Sequence, residues 1–154
     1  MKIFIASDHA GFKCKEQLIK MIQDNSRYLG INDIIDLGTY NDNGCDYPDY
    51  AKKLVIKLKK NISKIETDKQ ENFGVLICGT GIGMCMVANR FKRIRAVACN
   101  DVFDAEMARK HNNANILCIG ARKITNNKTV FLIFSKFIKT EYEGGRHDNR
   151  IKKF

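Results

Sequence analysis

Hydrophobic positions run along this chain in two rhythms. Short apolar, β-branched runs alternate with longer segments in which apolar residues recur every three or four positions, the spacing of an amphipathic helix. Residues 2–6, 33–37, 73–78, 95–99 and 115–119 read as strands. Residues 12–24 read as a helix with Leu18, Ile19 and Ile22 on one face. Pro48, the only proline, suits the first turn of a second helix reaching about residue 62. Further helices are predicted over residues 83–91, 102–110 and 126–140. Segment 63–72 is polar and charged and reads as a surface loop or helix extension; 141–150 reads as a polar tail. Residues 73–78 are almost continuously apolar, as in a strand covered on both faces. Strands alternating with helices predict right-handed βαβ units and a parallel sheet. The expected fold is α/β: a Rossmann-like three-layer αβα sandwich with about five parallel strands, formed as one domain over residues 1–154. In such sheets ligands bind beyond the carboxyl ends of the strands. That rule directs attention to Asp8 and His9 after the first strand, residues 78–83 after the third and Asn100 after the fourth.

Composition narrows the function classes. The 154 residues, 44% hydrophobic and 29% charged, suit a globular protein with a real core. No run approaches the roughly 18 apolar residues of a membrane span. Residues 2–6 enter the folded pattern at once, without a signal or transit peptide, which points to the cytoplasm. Six cysteines, at positions 14, 45, 78, 85, 99 and 118, include no CxxC pair. They support neither a zinc site nor a dithiol redox motif and are expected as reduced thiols. The net charge of +10 favours anionic partners, either nucleic acid or phosphorylated small molecules. No nucleic-acid-binding signature and no clustered aromatic–basic face accompanies it. Dispersed lysines such as Lys52 and Lys53 read as solvated faces.

Candidate chemistry concentrates at a few places. Gly79-Thr80-Gly81-Ile82-Gly83 lies between a buried strand and a helix start. Glycines let the backbone approach a ligand, and N–H groups at a helix N-terminus favour a phosphate or a developing oxyanion. It is not a dinucleotide fingerprint, because Met84 stands where GxGxxG needs glycine, and no GK[ST] follows. A tight turn without a ligand is the alternative. Cys78 ends the strand before this loop, where a helix N-terminus favours a thiolate; a small buried hydrophobe is the alternative reading. Cys14, Cys45, Cys85, Cys99 and Cys118 read as buried hydrophobes. His9, His111 and His147 all fall at element ends beside polar or cationic residues, which suggests a shared site. Without HxH or HExxH spacing, no metal is expected there. Arg146 and Arg150, four residues apart, would share a helix face and could fork onto a phosphate dianion. Arg122, just past the fifth strand, is a further candidate.

Asp8-His-Ala-Gly-Phe12, Asp46-Tyr-Pro48, Leu76-Ile-Cys-Gly-Thr-Gly-Ile-Gly83, Ala88-Asn89, Ile94-Arg-Ala-Val97, His111-Asn112, Gly120-Ala-Arg122 and Tyr142-Glu-Gly-Gly-Arg-His147 together resemble the type B ribose-5-phosphate isomerases of the ribose/galactose isomerase family. The resemblance covers nearly the whole chain in order. It implies interconversion of ribose 5-phosphate and ribulose 5-phosphate through an enediolate, in the non-oxidative pentose phosphate pathway, with no metal or organic cofactor. Cys78 resembles the base that moves the proton between C2 and C1. Gly79, Thr80, Gly81, Ile82 and Gly83 would hold the enediolate oxygens through backbone N–H groups, leaving the phosphate to other residues; Thr80 joins the catalytic set. His111 resembles the acid that opens the furanose ring, with Asp8 as its partner. His9, Arg122, Arg146 and Arg150 resemble the phosphate and substrate clamp, Asn112 a ligand of a sugar hydroxyl, and Tyr47 a further substrate contact.

In this family the sites lie between subunits. The resemblance therefore implies a homodimer, with a tetramer as the alternative. His111, Asn112 and Arg122 would come from the partner chain, and residues 141–154 would contribute to the site and to oligomer contacts. Two features depart from the pattern: residues 59–72 are longer and more charged, and the chain ends four residues after Arg150. Some members replace the cysteine with a glutamate in the following helix. Met84 at that nearby position favours the cysteine type. Three other readings stay open. One is a six-carbon sugar phosphate, since one methylene is worth only about 1–3 kcal/mol in discrimination. The others are a nucleic-acid-binding module and a non-catalytic sugar-phosphate sensor.

Overall fold

The computed structural model describes residues 1–62 and 70–154. Its elements are β1 (Lys2–Ser7), α1 (Phe12–Asp24), α2 (Ser26–Leu29), β2 (Asp33–Asp36), α3 (Tyr47–Lys59), β3 (Asn72–Cys78), α4 (Ile82–Ala88), β4 (Ala96–Ala98), α5 (Val102–Asn112), β5 (Ile116–Gly120) and α6 (Asn127–Lys139). A 3₁₀ turn at Gly145–His147 and α7 (Asp148–Ile151) follow. The five strands are all parallel, in the order β2-β1-β3-β5-β4. The three-layer αβα architecture is the one expected. Of the segment expected as a loop or helix extension, residues 63–69 lie outside the described residues.

Alternation along the strands builds two cores. Ile3, Ile5, Val75, Ile77, Leu117 and Ile119 pack with α1, α5 and α6 on one face. Phe4, Ala6, Leu76, Cys78, Ile116 and Cys118 pack with α3 and α4 on the other. Burial on both faces is why β3 reads as a continuous apolar run.

The structure corrects several local expectations. Helix α2 was not foreseen; it ends at Gly30, whose left-handed φ of 66° suits a glycine cap. Helix α4 stops at Ala88, short of the expected residue 91. The Asn89 amide leaves the helix path and pairs with Ala96, donating to its carbonyl at 2.8 Å and accepting from its N–H at 2.8 Å. The tail is not merely polar, because His147 and Ile151 are buried by its short helical turns. Cys14, Cys45 and Cys85 are only partly buried, while Cys78, Cys99 and Cys118 lie in the core. Among the described residues no helix is long and apolar enough to cross a membrane.

Candidate active site

The carboxyl ends of β1, β3 and β5 form one knit surface. The Asp8 N–H donates to the Ile77 carbonyl at 3.2 Å, and the Asp8 carboxylate accepts the Gly11 N–H at 2.9 Å. Position 11 admits no side chain, since a Cβ would lie 2.3 Å from the Ile77 carbonyl oxygen. Buried Lys15 donates to Asp36 at 2.5 Å, and Asp36 in turn accepts the Gly38 N–H at 2.9 Å. Gly38 then accepts the Ser7 N–H at 2.6 Å, which ties the end of β2 to β1.

Cys78 sits at the centre of this edge, 4% exposed. Its sulfur accepts the Gly81 N–H at 3.1 Å. That contact needs the chain to double back, which Gly81 permits with a left-handed φ of 77°. The N–H groups of Gly79 and Thr80 have no acceptor among the described residues and remain available to an oxyanion. Thr80 is exposed on the loop, its Oγ1 accepting the Ile82 N–H at 3.4 Å.

Side chains from three other segments converge on the loop. The Arg122 N–H donates to the Gly79 carbonyl at 3.0 Å, and its guanidinium lies across Gly79, 3.3 Å from where a Cβ would stand. The Tyr47 ring lies over Gly83, 2.8 Å from a Cβ built there. Pro48 within the first turn of α3 sets that helix start, as its sequence position predicts. His9 Nδ1 lies 3.2 Å from both the N–H and the carbonyl oxygen of Cys45. Met84, in the helix that follows, is fully buried.

The remaining predicted residues stand elsewhere. Helix α5 starts beyond the carboxyl end of β4 and runs back, so His111 and Asn112 at its end lie at the amino edge of the sheet. Its 11 residues carry the chain about 16 Å back from the helix start. Arg109, 2% exposed, anchors this end: it donates to Asn113 Oδ1 at 2.7 Å and to the carbonyls of Ala114 at 2.6 Å and Thr140 at 3.3 Å. Its guanidinium stacks 5.0 Å from the Phe73 ring centre, and burial with nearby Arg95 pulls its pKa down to about 10.

The tail folds onto this anchor, the Glu143 N–H donating to the Lys110 carbonyl at 3.1 Å. The His111 and His147 rings stack with centres 4.5 Å apart. Burial lowers the His147 pKa, reinforced by His111, Arg146 and Arg150. Arg146 and Arg150 are exposed beside it.

One chain does not bring all the predicted residues together, and the expectation that Arg122 comes from the partner chain is corrected. The three histidines do not share a site within one chain, because His9 lies at one edge and the stacked pair at the other. Asp8 and His111 stand apart within one chain, where the Asp8 carboxylate accepts the Gly11 N–H; their pairing was expected only between chains. Arg122 stands on the glycine loop of its own chain, because the turn after β5 crosses that loop directly. Arg109 and Glu143 were missed by sequence reasoning. The signal for Arg109 was its place on the Ala105–Ala108 face of α5, where a surface arginine would not fall.

A thiol and open backbone donors stand together at the carboxyl edge of a parallel sheet, and the chain belongs to the Ribose/Galactose Isomerase family, whose model matches residues 3–154. Within that family it is similar to ribose-5-phosphate isomerase B of Escherichia coli K12, at 34% identity over 98% of this chain and 92% of the relative. A ribose 5-phosphate isomerase from Thermotoga maritima has a crystal structure with a TM-score of 0.86 to this one, at 43% identity over 99% of this chain and 95% of that one. The Mycoplasma genitalium ribose-5-phosphate isomerase B, solved with bound ribulose-5-phosphate, gives a TM-score of 0.83 at 40% identity over 99% and 92% of the two chains.

Proposed function

We propose that this protein interconverts ribose 5-phosphate and ribulose 5-phosphate in the cytoplasm, as a homodimer whose sites combine both edges of the sheet. The observation that carries the reading is the Cys78 sulfur held beneath the Gly81 N–H, beside the open donors of Gly79 and Thr80. A C–H beside a carbonyl is weakly acidic; its removal needs a base at contact and a cradle for the oxyanion that forms. Cys78 takes the proton from C2 of the open-chain aldose, the loop holds the enediolate oxygens, and the same thiol returns the proton to C1. His9 and Arg122 grip the phosphate from one chain, and Arg146 and Arg150 from the partner. Tyr47 packs against the sugar. The partner's His111 protonates the ring oxygen to open the furanose, and its Asn112 binds a hydroxyl. The exposed apolar side chains Ile82, Met86 and Phe103, on the starts of α4 and α5, support a second chain covering this edge. The chain acts as one isomerase domain, with residues 141–154 completing the neighbouring site.

The test is ketose formation from ribose 5-phosphate by purified protein, with Cys78→Ala alongside. The variant is expected to lose about 10²–10⁴ in turnover while keeping its circular dichroism spectrum. Comparable turnover in the variant removes Cys78 from the base role, and no turnover by folded wild type refutes the reading. Specificity constants for five- and six-carbon phosphates fix the sugar.

A further inference from the structure

The chain carries no metal-binding spacing, yet folding brings three metal-ligating side chains together at the amino edge. His111 ends α5, Glu143 lies in the following loop region and His147 closes the 3₁₀ turn. One donor atom from each lies within 4.8 Å of the others. Both imidazole Nε2 atoms face the same carboxylate oxygen, Glu143 Oε2, at 4.0 Å from His111 and 3.9 Å from His147. These distances are too long for hydrogen bonds, so the three groups surround a gap they do not close themselves.

We propose that His111, Glu143 and His147 bind one divalent ion of the zinc class, and that this ion inhibits the isomerase by occupying His111. Two imidazoles and one carboxylate form the three-ligand set of open zinc sites, which leaves the fourth position to water or an anion. With bonds of about 2.0–2.1 Å, tetrahedral donors stand about 3.3 Å apart. The widest pair here must therefore close by at most about 1.5 Å. The stacked rings, 10° apart in plane, must fan open so that their lone pairs converge. His147, buried, is the fixed point, while the half-exposed His111 and Glu143 side chains move to it. Lys110, Arg146 and Arg150 flank the cluster and weaken its hold on any cation. Bound metal takes the Nε2 lone pair of His111 and removes its ring-opening acid. The inhibitory part rests on the role proposed for His111; the binding part does not.

Cobalt(II) is the probe, because its visible bands report coordination without any need for turnover. Titration of the metal-free dimer is expected to give one ion per chain with the intense bands of a four-coordinate nitrogen and oxygen site. Glu143→Gln, on a half-exposed side chain, is expected to weaken that binding at least about tenfold. In the same proteins zinc inhibits wild-type isomerisation in step with site occupancy, and Glu143→Gln requires at least about tenfold more zinc. Equal cobalt affinity in Glu143→Gln, or a sulfur-to-cobalt charge-transfer band showing the ion on a cysteine, overturns the proposal. Zinc inhibition unshifted by Glu143→Gln overturns its inhibitory part. A metal-free wild type without turnover refutes the isomerase reading, while the cobalt titration still decides the site.

Discussion

Mixing two inactive variants provides the sharpest test of a site shared between chains. Cys78 ends β3 at the carboxyl edge of the sheet, and His111 ends α5, which runs about 16 Å back to the amino edge. No side chain bridges that span, so one chain alone cannot bring both groups to one sugar. In a dimer with two-fold symmetry each site takes Cys78 from one chain and His111 from the other. Cys78→Ala homodimers then carry two sites without the base, and His111→Asn homodimers two without the acid. In a heterodimer of the two variants, both lesions fall in one site and the second site is intact. Random 1:1 association makes half the dimers heterodimers, each with one working site, and so predicts about a quarter of wild-type activity. Heterodimers purified through two different affinity tags are expected to reach about half. The assay is ketose formation after co-expression, with native mass spectrometry confirming the mixed species. Activity that stays at the level of the separate variants, in a sample containing verified heterodimers, refutes the shared site.

Other predictions concern the framework. Gly11→Ala forces a Cβ to 2.3 Å from the Ile77 carbonyl oxygen, a backbone atom that cannot swing aside. It is expected to cost about 1–3 kcal/mol, seen as a melting temperature lower by about 3–10 °C in calorimetry; an unchanged midpoint contradicts the tight packing of the Asp8 turn. Cys85 and Cys14 are both partly buried, but hydrogen bonding from Cys118 pulls Cys85 down to about 7 while burial pushes Cys14 up to about 11. Near pH 7.5 the thiolate fraction, offset by the weaker nucleophilicity of the more acidic thiol, makes iodoacetamide react with Cys85 roughly fortyfold faster. Peptide mass spectrometry over a pH series should show Cys85 labelling levelling off above about pH 8 and Cys14 labelling still rising. Equal rates at both would refute the assignment.

Local chemistry made much of this molecule readable before folding. Helical and strand periodicities, Pro48 at the start of α3 and the apolar run of β3 are set by neighbouring residues, and the tertiary structure kept them within a few positions. The glycine loop and its leading cysteine were legible for the same reason: Cys78 and Gly81 are three residues apart, so their contact is a property of one turn. Asn89 was misread as helix because its partner, Ala96, lies on the edge strand it caps, and no periodicity reports that pairing.

What the chain could not disclose by itself is which edge each motif occupies. His9, His111 and His147 look alike in sequence, each at an element end beside polar or cationic neighbours. Only the order β2-β1-β3-β5-β4, with α5 running back along the sheet, sends His111 and His147 to the edge opposite His9 and Cys78. The same crossing lays Arg122 over the glycine loop of its own chain. Burial of Arg109 beneath the tail stacks the two histidines against Glu143. These are contacts between residues distant along the chain. Residue types and short-range spacing determined the sheet, the loop and its thiol; the packing of helices on two faces decided that the candidate groups of one chain stand apart.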